Sequence, residues 1–213
     1  MLSVGLLVLS GQPAYADIEE TAVVESENII NALEDEVSIE IADNEISYDE
    51  EEIYECIDKL DIDGINRAYI EYGLKPVSSE ELAEIFISGI ESVNEELDDG
   101  ELKMLSDGTM VESEDDSFYL QGGSTYDQTY WWGKRRYKST AAANQWVRNL
   151  NRTAAGEAAA AVIFGGAPRV VGGLCSAYCW YLASDVAYYN GLSNRGIKAD
   201  IPWSLVGYKI RKQ

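Results

Sequence analysis

The most apolar part of the chain beyond its N-terminus lies at residues 153–189. Two runs rich in small side chains, 158–164 and 170–183, flank the sequence Gly-Gly-Ala-Pro at 165–168. Glycine accepts positive φ angles and proline suits the first position of a helix, so this sequence is typical of a tight turn between helices. We therefore predict an αα-hairpin and a mainly α fold class.

Apolar residues recur at helical spacing on both sides of this turn. The first arm begins at Thr140 and carries one stripe made of Ala143, Trp146, Val147, Leu150, Ala154, Ala158 and Ala161. The second arm carries Leu174, Tyr178, Tyr181, Leu182 and Val186. In the tail, Ile197, Ala199 and Ile201 alternate with other residues, which predicts a short β-ribbon or edge strands, with 126–132 as the candidate partner.

The length of the second arm bears on whether it crosses a membrane. Its apolar run has 14 residues, whereas a membrane-spanning helix needs about 20. Arg169 and Asp185 flank the run, and Glu157 interrupts the first arm. We therefore expect no permanent transmembrane anchor. Two options remain for the hairpin: the buried core of a small helical domain, or a unit that is soluble in one state and enters a bilayer in another. They are not exclusive, because a hairpin of small residues packs closely in either solvent.

Two capping boxes organise the acidic half of the chain. Ser47 with Glu50, and Ser78 with Glu81, have the spacing in which a serine caps a helix and a glutamate bonds back to the serine. Apolar positions at helical spacing follow each box. We therefore predict a small acidic helical module at residues 47–98.

The remaining segments are assigned from composition. Residues 1–16 have an apolar run and then Ala-Tyr-Ala before the first acidic residue, which is the pattern of a secretory signal peptide without its basic start. Residues 17–46 are acidic and poor in aromatic side chains, so we expect them to be disordered. We interpret 99–125 as a linker that leads to a basic helical-hairpin domain at 126–213.

Three cysteines fit an exported protein with one disulfide and one remaining thiol. Cys175 and Cys179 are four positions apart, which on an ideal helix puts their Cα atoms about 6 Å apart, within reach of a disulfide. They form either a disulfide or a pair of small buried apolar side chains. Cys56 has no obvious partner.

The net charge of −22 conceals two halves of opposite sign. Residues 1–126 hold four basic and 34 acidic side chains, a net charge of −30. Residues 127–213 hold 12 basic and four acidic side chains, a net charge of +8. Such polarisation is typical of an interaction tail or of two regions that neutralise each other within one chain.

The basic half opens with aromatic residues beside cations: Tyr130, Trp131, Trp132, Lys134, Arg135, Arg136 and Lys138. This combination suits an anionic membrane interface, and it also suits the stacking of sugar rings in a cell-envelope polymer. The alternative is a cluster that packs over the hairpin with a solvated basic flank. We expect no nucleic-acid partner because the predicted signal peptide indicates export.

The chain contains no histidine, which removes the commonest general base and the usual zinc ligand. The sequence Asp61-Ile62-Asp63-Gly64 matches the middle of an EF-hand loop, but Lys59 and Ile70 then stand at positions that need oxygen ligands. We therefore predict no enzyme activity, no cofactor and no metal site.

The layout resembles that of exported bacteriocin-like toxin precursors of Gram-positive bacteria, including sporulation-delay-type killing factors and closticin-type bacteriocins. The features that carry the resemblance are the predicted signal peptide, the acidic region 17–125 and the apolar hairpin with its cysteine pair at 174–179. The sequences WWGKRRYKS and SNRGIKADIPWSL are also similar to small exported proteins of such bacteria with no stated function. The resemblance implies a pro-region and a C-terminal killing segment released by proteolysis.

Two functional hypotheses follow. In the first, cleavage near Gly122, Gly123 and Ser124 releases the basic hairpin domain from an acidic pro-region, and the domain then acts on bacterial membranes. In the second, the intact secreted protein is a non-lytic module that binds the cell envelope or a protein partner. The protein is extracellular in both.

Overall fold

The computed structural model describes residues 14–112, 119–120, 123–153, 157–164 and 176–213. The helices in these ranges are α1 Ala14–Glu36, α2 Glu50–Asp58, α3 Ile62–Glu71, α4 Ser79–Asp98, α5 Thr140–Arg152, α6 Glu157–Phe164 and α7 Ser176–Gly191. The strands are β1 Glu40–Ala42, β2 Glu45–Ser47, β3 Leu102–Met104, β4 Met110–Glu112, β5 Tyr119–Leu120, β6 Gly123–Ser124, β7 Tyr126–Tyr130, β8 Gly133–Lys138, β9 Ile197–Pro202 and β10 Lys209–Lys212.

A six-stranded antiparallel sheet lies at the centre of the fold, with the strand order β10-β9-β8-β7-β4-β3. Strands β7 and β8 form a hairpin with a two-residue turn, since Tyr130 pairs with Gly133. Helices α5 and α7 pack against each other and contact strands β8, β9 and β10. The hairpins β1-β2 and β5-β6 lie outside this sheet.

The predicted mainly α fold class is wrong, because the sheet is a main element of the fold. The segment interpreted as a linker supplies β3 and β4. The tail supplies β9, which pairs with β8 and β10 rather than with the predicted partner 126–132. Glycine is required at Gly133, because a Cβ there would lie 2.2 Å from the Ile201 carbonyl oxygen on β9.

The predicted disorder of residues 17–46 is also wrong, because this segment contains α1 and most of the β1-β2 hairpin. Ile29, Leu33 and Ile46 are buried in the core. The hairpin turn has Asp43 and Asn44 at positive φ angles of 51° and 66°, which these two residue types tolerate better than most. The acidic composition and the lack of aromatic residues concealed aliphatic side chains that are placed at core positions.

The two predicted capping boxes have different outcomes. The box at Ser78 and Glu81 is confirmed, with Glu81 N–H donating to Ser78 Oγ at 3.1 Å and Ser78 N–H donating to Glu81 Oε2 at 2.8 Å. The box at Ser47 is wrong, because Ser47 ends β2 and Asp49 caps α2. Asp49 is two positions closer to the helix than Ser47 and offers the same kind of side-chain acceptor.

The arms of the predicted hairpin are represented by α5, α6 and α7, while its turn at 165–168 lies outside the described residues. Ser139, not Thr140, caps α5. The amide of Asn190 joins α7 to α5 by donating to the Thr140 carbonyl at 3.2 Å and to Asn144 Oδ1 at 3.0 Å. No helix in the described ranges is long and apolar enough to cross a membrane.

The acidic and basic halves share one core. Phe86 on α4 lies 6.4 Å from Trp131 between ring centroids. A Cβ at Gly89 would lie 2.4 Å from Trp203 Cδ1. Helix α4 therefore packs closely against the Trp203 indole at a position where the helix carries no side chain. The buried Tyr69 hydroxyl of α3 donates to the Ser204 carbonyl. The halves of opposite charge are therefore interlocked by apolar packing and by the β4-β7 pairing.

Candidate functional site

Strand alternation divides the predicted aromatic and basic cluster between the two faces of the sheet. Lys134, Arg136 and Lys138 point to the helix-covered face, where the strand neighbours are buried. Arg135 points to the opposite face. One continuous basic run therefore contributes to two surfaces with different surroundings.

Two cations of the helix-covered face, Arg136 and Lys138, are largely buried and paired. Asp127 lies between Arg136 and Lys138, with Nη2–Oδ2 and Nζ–Oδ1 distances of 2.9 and 2.6 Å. All three side chains are between 8 and 11% exposed. Arg136 Nη1 also donates to the Val162 carbonyl at 2.8 Å, near the C-terminal end of α6, where carbonyl groups lack helical partners. This ion cluster holds α6 on the sheet.

The electrostatics of this cluster favour the ionised carboxylate. Burial alone would raise the pKa of Asp127, but the adjacent Arg136 and Lys138 charges and their hydrogen bonds lower the pKa overall. Arg136 also lies over the Trp146 ring, with Cζ 4.9 Å from the centroid. The cluster is thus satisfied within the protein.

We call the opposite surface the open face. Its central row crosses all six strands of the sheet, and its neighbouring row crosses four. The central row is Lys103, Val111, Gln128, Arg135, Asp200 and Lys209, and the neighbouring row is Tyr126, Tyr137, Lys198 and Arg211. These rows carry five cations and one carboxylate, in a protein whose net charge is −22.

Asp200 is the anionic centre of the open face. Its two oxygens accept from Arg135, at 2.5 Å from Nε and 3.3 Å from Nη2, and Oδ2 also accepts from Arg211. The hydrogen bond to Asp200 raises the pKa of Arg135. The two guanidinium groups are thereby held in fixed positions, while 26% of the Arg135 side chain and 42% of the Arg211 side chain are exposed.

Aromatic rings are stacked on both sides of this ion group. Tyr126 and Tyr137 have ring centroids 4.3 Å apart with an interplanar angle of 13°. Tyr130 and Trp132 have centroids 5.1 Å apart with an angle of 11°. Arg135 lies over Tyr130, with Cζ 5.1 Å from the centroid. Flat apolar surfaces and fixed cations thus alternate across the open face.

A cavity of about 240 Å³ lies where α1 meets the open face. Its sheet side includes Trp132, Arg135, Asp200 and Arg211. Its α1 side includes Glu27, whose carboxylate pairs with Lys209. Concave sites of this kind, with apolar walls and a few fixed polar groups, are typical ligand-binding positions.

The positive potential of the open face acts on Lys198. Partial burial and the nearby Arg211 and Arg135 charges lower the pKa of Lys198. Like charges are therefore gathered on the open face closely enough to disfavour the charged form of Lys198.

The remaining predicted site residues have other positions. Trp131 and Trp132 form the β7-β8 turn and are at most 9% exposed. Trp203 Nε1–H donates to the Trp131 carbonyl at 2.8 Å, and Trp203 N–H donates to the Trp132 carbonyl at 2.9 Å. The tryptophan pair is therefore mainly a structural turn, with Trp132 also reaching the cavity.

The predicted processing region is tied to the end of the chain. Gly122 lies outside the described residues, whereas Gly123 and Ser124 form β6. Ser124 N–H donates to Gln213 Oε1 at 3.0 Å, and Gln213 Nε2 donates to the Ser124 carbonyl at 2.9 Å. A Cβ at Gly123 would lie 1.6 Å from the Arg195 carbonyl oxygen, so the backbone here is closely packed.

The predicted cysteine pair is described in part. Cys179 is fully buried in α7, and Cys175 lies outside the described residues, so their disulfide stays a prediction. Cys56 is buried in α2, where burial raises the pKa of its thiol. Asp61, from the EF-hand-like sequence, caps α3 by accepting from Gly64 N–H at 3.0 Å. Within the described residues no group of acidic or cysteine side chains is arranged to hold a metal ion.

Sequence reasoning missed the second half of the open face, which comes from the tail. Lys198 and Asp200 alternate with Ile197, Ala199 and Ile201, and this alternation was the available signal that they share a face. Their pairing with Arg135 could not be found in the same way, because about 60 residues separate β8 from β9. No known protein family, curated protein or solved structure matches the chain.

Proposed function

We propose that the intact chain is an exported, non-lytic binding module that holds an anionic polymer of the cell envelope on the open face. The observation that carries the proposal is the Arg135–Asp200–Arg211 group, fixed between two stacked aromatic pairs on a partly exposed sheet surface. Fixed cations and flat rings are the two features that a charged sugar polymer requires.

The chemistry of recognition follows from these groups. Guanidinium groups form paired, charge-assisted hydrogen bonds to phosphate or carboxylate oxygens. The faces of aromatic rings pack against the C–H surfaces of sugar rings, and a rigid ring loses little conformational freedom on binding. Because the attraction is largely electrostatic, polymer affinity should fall as salt concentration rises.

The close packing between the acidic and basic halves supports the proposal that the protein acts as an intact chain. Strand β4 covers the edge of β7, and α4 packs on Trp131 and Trp203. A fragment beginning at residue 124 would lose both elements and expose the β7 edge and the buried indoles, which favours aggregation. Part of the basic cluster, moreover, is paired in the core with Asp127.

The test is binding of the intact protein to purified anionic wall polymer, with Arg135→Ala as the variant and Arg148→Ala as the control. Arg148 is exposed on α5 and has the same charge. We expect Arg135→Ala to weaken binding at least about tenfold, because it removes charge-assisted contacts. Equal affinities for both variants would overturn the proposal.

A second candidate is the membrane-active domain released from an acidic pro-region. It is favoured by the exposed side of α7, where Trp180 and Tyr188 are 51 and 62% exposed, and by Leu192 directly after the helix, which is 53% exposed. Aromatic and aliphatic side chains on one helix side suit insertion into a bilayer interface. Release of dye from anionic vesicles by residues 124–213, with none by the intact chain, would favour this candidate over the polymer-binding module.

A further inference from the structure

The cavity between α1 and the open face has a defined chemistry. Trp132, Pro202 and Ile30 supply its apolar surface, and Arg135, Lys209 and Arg211 supply cations. Its volume of about 240 Å³ exceeds the space of a few water molecules. A single charged group attached to a small ring would fit both the apolar and the cationic parts.

Arg211, which lines this cavity, has a donor without a partner among the described residues. Its Nη2 donates to Asp200 Oδ2, but its Nε is buried and has no acceptor among the described residues. Buried donors are nearly always satisfied, so an unsatisfied one indicates a missing acceptor. An anionic oxygen in the cavity would supply that acceptor.

The charges of the cavity indicate which group it takes. Three cations line it together with two carboxylates, Asp200 and Glu27. The Asp200 side chain is only 13% exposed and is shared by two arginines, whereas Glu27 is about half exposed and, among the described residues, pairs with Lys209. Glu27 is therefore the carboxylate that can be displaced, and its removal would leave two uncompensated positive charges, which match a phosphate dianion.

We propose that this cavity binds the phosphate of a sugar-phosphate unit, with Arg211 and Arg135 as the phosphate ligands and Trp132 against the sugar, and that Glu27 competes with the phosphate for Lys209. The inference rests on the proposed function, since it names the polymer unit that the open face would hold. Helix α1, which comes from the acidic half, thereby limits access to a cationic site.

The test uses the intact protein and calorimetric titration with glucose 6-phosphate, inorganic phosphate and glucose. We expect glucose 6-phosphate to bind more tightly than inorganic phosphate, and glucose not to bind, because the phosphate supplies the charge and the ring adds contact with Trp132. Binding of glucose 6-phosphate no tighter than that of glucose would overturn the inference.

Two variants and one control complete the test. Glu27→Gln should increase affinity for glucose 6-phosphate about twofold to fivefold, the range expected for removing a competing surface ion pair. Glu36→Gln is the matched control, since Glu36 lies on the same helix and pairs with Lys59 at 2.8 Å. Arg211→Gln should weaken binding at least about tenfold. Equal affinities for Glu27→Gln and Glu36→Gln would count against the competition by Glu27.

The inference and the proposed function fail in distinguishable ways. If Arg135→Ala weakens polymer binding but glucose 6-phosphate neither binds nor competes with the polymer, the phosphate site is wrong and the binding face stands. If the intact protein does not bind the polymer at all, the proposed function is wrong as well. Should Arg211→Gln fail to fold by circular dichroism, the surface variant Glu27→Gln still decides the inference.

Discussion

The two faces of strands β7, β8 and β9 use the same residue types in opposite ways. On the helix-covered face, Asp127 pairs with both Arg136 and Lys138, all three side chains are at most 11% exposed, and Arg136 also donates to two carbonyls of α6. On the open face, one carboxylate, Asp200, stands among five cations that remain partly accessible. The first arrangement is a structural element, and the second leaves charge available to a ligand.

Burial determines which charged residues of a continuous sequence run become structural and which stay available to a ligand. A buried charge must be paired, because an unpaired one costs several kcal/mol. A half-exposed charge is stabilised by water and need not be fully neutralised. In a strand these two conditions alternate residue by residue, so neighbours such as Arg135 and Arg136 acquire different roles.

The largest expected difference concerns the two carboxylates. Asp127→Asn should lower the free energy of unfolding by about 3–5 kcal/mol, because it leaves two buried cations without their counter-ion. Asp200→Asn should lower it by only about 1 kcal/mol, because its partners reach solvent. Urea denaturation of both variants gives these values, and equal losses would contradict the distinction between the faces.

The structural role of Asp127 should also appear in the pH dependence of stability. The pKa of Asp127 is lower in the folded protein than the usual value of 3.8. The stabilisation from ionised Asp127 is therefore fully present above the unfolded pKa and is lost as pH falls through the folded pKa. Denaturation at a series of pH values below 5 should give a shallower decline for Asp127→Asn than for the parent. Parallel curves would contradict this role for Asp127.

The smallest expected effect is a shift in the titration of Lys198. Partial burial and the neighbouring Arg211 and Arg135 lower the pKa of Lys198. Arg211→Gln removes one of these charges and should move the pKa of Lys198 upward, as measured by NMR titration of side-chain resonances. Lys103, at the far end of the central row, is the internal reference. An unchanged Lys198 pKa would indicate that the open face lacks the inferred positive potential.

Local signals in the sequence predicted local structure well. The Ser78 and Glu81 box and the apolar positions of α4 define that helix from adjacent residues alone, and the structure confirms it. The helical character of α5 and α7 follows from their periodic patterns in the same way. These elements depend on residues no more than a few positions apart.

The six-stranded sheet was not predicted from the sequence, because its strand pairings join residues that are far apart in the chain. Strands β3 and β4 have three residues each, too few for a periodic pattern. The β7-β8 turn is Trp131-Trp132, which lacks the glycine and asparagine typical of two-residue hairpins and is held instead by Trp203, about 70 residues later. The composition therefore identified the aromatic and basic cluster, but it did not predict that the cluster is divided between the two faces of the sheet.

Polymer binding on the open face can be tested by chemical labelling of lysines in the intact protein, with and without anionic wall polymer, analysed by mass spectrometry. We expect the polymer to protect Lys198, Lys209 and Lys103 on the open face. The buried Lys134 and the paired Lys138 should react slowly in both conditions, and Lys59 and Lys75 in the acidic half should react equally in both. Protection of Lys59 or Lys75, with Lys198 and Lys209 unchanged, would contradict the account.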